Sequence, residues 1–382
     1  SVSVELEEDG SFESDDYLNV YYILDGGTET AFPTNGINTD DFGTVTSSHS
    51  GFTGSTYQIV IRGNNDSSHE VYFVDDVVVS GDVCENTEPV AYDHQRIITI
   101  NADNVSGSGF HEEFPVLLTL SGSYLRPTGN GGDLYNSNGY DINFRDITDS
   151  VDLDFEIERY ETTGELLVWV KIPHLSAWND TRFLFQYGSD EVSSDPSTAN
   201  TWSSNYRAVW HMNEDPTGGQ MNDASSYGHH GTAQGTWNSN QSIAAKIGRG
   251  LDLNGSNNMI NVGMPSSLAL TGNEITLTAW VQLPSGGVNQ DKAIIQKTDD
   301  TNDEKFMLGL DRNEKLNIRI TTNTGHSRYD DGTVATNQWI YMVLRYDGTH
   351  MKGYMDGVEI MSYNKSGNLN HDSGDIVRLG GR

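Results

Sequence analysis

Residues 71–79 read VYFVDDVVV, an apolar run interrupted by two adjacent aspartates. Its β-branched and aromatic residues make it a strand, so successive side chains point to opposite faces. Asp75 then shares a face with Val71, Phe73, Val77 and Val79, and Asp76 shares the other with Tyr72, Val74 and Val78. One carboxylate is thereby aimed at a core. A buried carboxylate needs a partner, and no Lys or Arg lies between Glu70 and Val90. A cation is the local suspect; the alternative is one exposed aspartate and one that caps a bulge.

Working outward, β-rich runs closed by turn residues continue along the whole chain. YLNVYYILDGG, TYQIVIRGN and EVYFVDDVVVSG fill a first set, residues 1–81. DVCENTEPVAYDHQ is polar, holds Pro89, and marks a linker over 82–91. QRIITINA, FPVLLTL, YDINFRD, VDLDFEIERYE, ELLVWVKIP and TRFLFQYG give a second set over 92–205. A third runs from YRAVWHMNE to IVRLGGR, residues 206–382. SIAAKIG is the one stretch with helical character, and its flanks argue against more. The expected fold is all-β, a tandem of β-sandwich (jelly-roll) modules.

Composition narrows the partners. Of 382 residues, 55 are Asp or Glu and 22 Lys or Arg, a formal charge of −33, which disfavours nucleic acid and anionic membranes and favours divalent cations. Cys84 is the single cysteine, so no internal disulfide forms. No apolar run is long enough to span a bilayer. With Ser1 in first place, the sequence reads as a trimmed segment of a longer polypeptide.

The third set resembles the LamG-like branch of the concanavalin A-like jelly rolls, through VWHMNE, NDASSYGHHGT, GRGLDLNGSNNMINVG, ITLTAWVQLP, QWIYMVLRYDGTHMKGYMDGVEI and IVRLGGR. That family continues past RLGGR into a final acidic strand, so the resemblance implies a jelly roll whose last strand is absent. The second set resembles a domain of unknown function that precedes such jelly rolls in bacterial surface proteins, through RIITINADNVSG, FPVLLTLSGSYLR, NGYDINFRD and FEIERYETTGELLVWVKIPHLS. The first set is similar to the C-terminal part of a carbohydrate-binding-module-like jelly roll, through DDYLNVYYILDGG and YFVDDVVVSG. In that superfamily the aspartate of a late DDV ligates structural calcium, which implies that role for Asp75 or Asp76. Glu214, Asp223 and Asn254 fall in the early LamG-like motifs and offer further oxygen ligands.

Two further groups invite chemistry. In VDLDFEIERYE, Asp152, Asp154, Glu156 and Glu158 alternate with apolar residues, and the pattern resembles the catalytic strand of laminarinase-type glycoside hydrolases. Spacing of i to i+2 on a strand sets such carboxylates roughly 6.5–7 Å apart, within the inverting range. An amphipathic strand turns polar residues outward by default, so the face reads as solvated or as a contact between modules, and the chain as no enzyme. His229 and His230 lack a third ligand at metal spacing. Trp178, Trp237 and Tyr329 sit among polar residues and are the candidates to stack on a sugar ring, while Trp169, Trp210, Trp280 and Trp339 lie in apolar runs and read as core.

The functional expectation is an adhesin segment, secreted or on the surface of a Gram-negative bacterium, that binds a glycan or protein ligand through calcium-stabilised sandwiches. A structural spacer and a polysaccharide-degrading enzyme or its accessory region are the alternatives.

Overall fold

The computed structural model describes residues 2–9, 16–39, 42–52, 56–64, 71–79, 90–147, 151–299, 304–371 and 374–381. Every regular element among them is a strand or a short 3-10 turn, and the strands assemble into tandem β-sandwiches. The chain divides into two compact units, Ser1–Pro89 and Val90–Arg382.

In the first unit, strand Val2–Asp9 lies between Val45–His49 and Val71–Val79, and Tyr17–Leu24 lies between Thr30–Ala31 and Tyr57–Asn64. The two sheets close on Val2, Val4, Leu6, Leu18, Val20 and Phe32, a core of this unit's own. Val71–Val79 is an edge strand whose pairing with Val2–Asp9 shifts by one residue between Ser3 and Glu5, opposite Asp76 and Val77. Phe73 and Val74, on opposite faces of it, are 49% and 44% exposed, so the strand is not sealed on either side here. Tyr72, on the same face as Val74, still packs against the core. The side chains of Asp75 and Asp76 lie outside the described residues, as does the linker up to Pro89.

The second unit begins with a sandwich of two three-stranded sheets. Phe155–Glu161, Glu165–Ser176 and Phe110–Ser121 form one; His94–Ile100, Thr181–Tyr187 and Ile142–Asp146 form the other. Alternation in LLVWVKI puts Leu166, Val168, Val170 and Ile172 inside against Phe144, Phe183 and Phe185. A jelly roll follows. Ile275–Gln282, Trp339–Tyr346, His350–Met355 and Val358–Asn364 make its smaller sheet. The larger has eight strands, in the order Gln220–Met221, Gly231–Gln234, Met259–Gly263, Ile376–Leu379, Lys292–Thr298, Glu304–Leu310, Lys315–Thr322 and Gly325–Thr333.

The core between these sheets joins Leu308, Leu310, Leu316, Ile318 and Ile320 to Ile340, Met342, Leu344 and Tyr346. The outward-facing residues of Lys315–Thr322, the seventh strand of the larger sheet, Asn317, Arg319 and Thr321, are nevertheless only 0%, 3% and 9% exposed. A strand buried on both faces with polar groups on one of them requires a hydrogen-bonded polar layer there.

Candidate functional site

The carboxylate strand is exposed at Asp152 and makes a contact at Glu156 and Glu158. Asp152 meets Arg145 at 3.6 Å, and Asp154 meets Lys171 at 2.7 Å. Glu156 and Glu158 close on one imidazole: His211 Nε2 is 3.3 Å from Glu156 Oε2 and Nδ1 is 2.7 Å from Glu158 Oε2. The indole of Trp202 donates to Glu156 and that of Trp169 to Glu158, at 2.6 and 3.0 Å. Both indoles also lie against His211, with ring centroids 5.7 and 6.2 Å from it. A one-residue bulge at Glu158 tips it out of strict alternation, which returns Tyr160 to the core.

This cluster joins strand Phe155–Glu161 to VWHMNE, residues 209–214. Gly248 completes it from the jelly-roll side: its φ is +52°, and a Cβ there would stand 2.5 Å from Glu158 Oε1. Burial opposes the charge on His211, but its hydrogen bonds to Glu156 and Glu158 prevail and raise it from 6.5 to about 10. Burial would likewise raise Glu158; hydrogen bonding and charge from His211, with the Trp169 N–H, hold it below its ordinary value instead. With the Glu158 side chain 1% exposed and His211 12%, the two carboxylates form a clamp on the imidazole.

The three oxygen-ligand candidates of the jelly roll each have a place in the hydrogen bonding of their loops. Asp223 accepts four hydrogen bonds, from the Val209, Ser225 and His229 amides and the Ser225 hydroxyl, and orders the loop it sits in. Asn254 Oδ1 accepts from the amides of Ser256, Asn257 and Asn258. Glu214 takes the Asn222 amide on Oε1 and keeps Oε2 buried without a hydrogen bond. Among the described residues no three His, Cys, Asp or Glu side chains are placed to hold a metal ion. His230 accepts the Asp223 amide and His229 bonds Ser267, both loop roles.

The three aromatic candidates separate. Tyr329 is stacked on Tyr363 at 3.7 Å, and Trp237 packs on the cluster of Met221, Ile260 and Leu379 while donating to the Gln234 carbonyl. Trp178 alone presents its ring, at 65% exposure, edge-to-face with the half-exposed Phe110 at 5.9 Å. Its loop is held because the amides of Trp178 and Asn179 both donate to Ser176 Oγ. His174 and Glu112, paired at 2.5 Å, flank this platform. Trp178→Ala is expected to change stability by less than ~0.5 kcal/mol, because an exposed ring gives up little burial; a denaturant titration checks it. Trp280, expected in the core, instead lies on the outer face of the smaller sheet with Lys246 over its ring and Tyr341 beside it.

The feature not foreseen from the sequence is a row of side chains across the outer face of the eight-stranded sheet. Register aligns Thr232 with Asn261, Asn261 with Arg378, Arg378 with Gln296, Gln296 with Met307, Met307 with Arg319 and Arg319 with Arg328. Arg319 is the hub: it donates to Glu304 at 2.6 Å, to Asp291 at 2.9 Å and to Asn317 at 3.0 Å. Arg328 reaches Asp291 at 3.0 Å and Asp330 at 3.8 Å. Beside this network opens a pocket of about 210 Å³ lined by Gln234, Met259, Gln296, Thr298, Glu304, Arg378 and Gly381. A wider polar hollow lined by Asn289, Gln290, Asp291 and Arg312 shares Asp291 with it.

Sheet order, polar outer face and core together make a jelly roll, and the sequence agrees. Residues 254–382 match the concanavalin A-like lectin/glucanases superfamily. The matched segment holds most of the row and the pocket. No curated protein matches the chain.

Solved structures similar to it include a sialidase carbohydrate-binding module from Ruminococcus gnavus bound to α2,3-sialyllactose, with 16% identity over 30% of this chain and 66% of that one, TM-score 0.24. Domain 4 of a Geobacillus stearothermophilus extracellular arabinanase in complex with arabinotriose shows 22% identity over 36% and 64%, TM-score 0.28. An Alteromonas alginate lyase shows 11% over 39% and 67%, TM-score 0.25. This chain thus spans about two thirds of the length of each.

Proposed function

We propose that the chain is a non-catalytic, carbohydrate-binding segment of an extracellular adhesin of a Gram-negative bacterium, and that sugar binds on the outer face of the eight-stranded sheet. The observation that supports this most is the pocket beside the Arg319 network. Its Gln234, Gln296, Thr298 and Arg378 converge as hydrogen-bonding groups on a space of about 210 Å³ over Met259. Fixed polar groups around a small apolar floor suit the hydroxyls and ring face of a saccharide. Trp178 and Phe110 form an accessory stacking surface in this reading. Secretion rests on the resemblance of 92–205 to surface-protein domains.

A glycan array of the whole chain tests the proposal. Retention of at least one oligosaccharide, lost in Gln296→Leu and kept in Trp178→Ala, is the expected result; retention of none would refute it. The enzyme alternative is weakened by the commitment of Glu156 and Glu158 to His211, and reducing-sugar release from β-glucans would revive it.

Calcium enters this reading at Asp75 and Asp76 only. If they close a site, excess chelator lowers the melting temperature of the first unit, because a ion held by the native state alone at 100 times its Kd adds about 2.7 kcal/mol. An unchanged melt in chelator removes calcium from the account.

A further inference from the structure

We infer that the saccharide taken by this pocket carries a carboxylate, as a uronic or other acidic sugar does, and that Arg378 selects it; the inference rests on the carbohydrate-binding reading above. Val377 and Leu379 on either side of Arg378 are buried at 1% and 5%, so strand alternation sends the guanidinium to the outer face, into the pocket. The other two arginines of the row are matched with carboxylates: Arg319 with Glu304 and Asp291, Arg328 with Asp291 and Asp330. The Arg378 side chain has no hydrogen bond or ion pair among the described residues. In a chain with 55 acidic residues against 22 basic ones, a half-buried guanidinium left without a carboxylate stands out.

Its surroundings fit an anion at one end only. Gln296 lies directly across the ladder from Arg378, and Gln234 and Thr298 complete a neutral lining for hydroxyl groups. Glu304 also lines the pocket but is held by Arg319, so a ligand carboxylate belongs at the Arg378 end, away from it. The planar guanidinium offers two parallel N–H groups to the two oxygens of a carboxylate. A sulfate ester supplies the same charge with a tetrahedral arrangement, and the planar match favours the carboxylate.

The test is titration calorimetry of the whole chain with galacturonate, glucuronate and mannuronate tetrasaccharides, their carboxyl-reduced neutral counterparts, and a sulfated galactan tetrasaccharide. The wild-type chain is expected to bind one or more uronates at least about tenfold more tightly than the reduced partner, a preference that shrinks as salt rises. Arg378→Gln should bring the two to the same Kd with the melting curve unchanged, and Arg378→Lys should keep part of the preference. Equal affinity of the wild type for charged and neutral tetramers, an unaltered uronate Kd in Arg378→Gln, or tighter binding of the sulfated tetramer overturns the inference while leaving carbohydrate binding in place. Should no sugar of any class bind here or on the array, the underlying reading fails and this one with it.

Discussion

His211→Leu is expected to destabilise the second unit by ~3–5 kcal/mol, because removing the shared cation strands two carboxylates that its ring now satisfies. Glu158 suffers most, with its side chain 1% exposed and one remaining donor, the Trp169 indole. Charge, not volume, is then the problem, so adding Glu158→Gln to His211→Leu should recover part of the loss. Denaturant unfolding of the single and double variants measures both effects. If the double variant is no more stable than the single one, packing rather than charge holds the clamp.

The same cluster gives a pH dependence. His211 is raised from 6.5 to about 10 in the fold, so its stabilisation is complete below pH 6.5 and is lost as pH climbs through 10. Glu158 is lowered from 4.5, so its contribution is present above pH 4.5 and disappears as pH falls through its folded value. Stabilisation from the clamp is therefore greatest between about pH 4.5 and 6.5, bounded by these two unfolded values.

Arg319→Met should cost ~3 kcal/mol or more and also abolish sugar binding. The side chain is 3% exposed and holds Glu304 and Asp291 together beside the pocket, so its loss removes the cation that both carboxylates share. Methionine fills the volume but leaves Glu304 free to turn toward the ligand space. Unfolding midpoints and array retention, measured side by side, check the two consequences. A variant that folds with full stability would show that the network is ornamental to the sheet.

The strand content was plain in the sequence because alternation is local. KLNIRITT needs only its own residues to announce that Leu316, Ile318 and Ile320 face inward. Partners across long separations were not legible. VDLDFEIERYE states that Glu156 and Glu158 lie near one another, and a face read as solvated or as a contact site is here the contact; nothing in it names the partner, His211.

The bulges were equally hidden. One at Glu158 shifts the face of Tyr160. Another, between Lys297 and Thr298, goes with Lys297 lying opposite Phe306, where its ammonium bonds the Leu268 carbonyl inside the protein. Arg378 in IVRLGG and Arg319 in NIRIT could each be read as an outward polar residue. That they fall on one line requires the register of three successive pairings, Arg378 with Gln296, Gln296 with Met307 and Met307 with Arg319, which no single strand carries. Trp178 was found correctly as an exposed ring because its loop is polar. Trp237 and Tyr329 share that local polarity yet pack on Ile260 and Tyr363, from strands distant in sequence.

Hydroxyl-radical footprinting of the whole chain, with and without a saturating oligosaccharide that the array identifies, is the most direct test of where sugar binds. Met259 floors the pocket and is readily oxidised, and Trp178 reports the platform on the other sandwich. The account predicts that ligand protects Met259 strongly while the oxidation of Trp178 changes less. Full protection of Trp178 with Met259 oxidised at its free rate would place the sugar on the aromatic platform and contradict the assignment to the eight-stranded sheet.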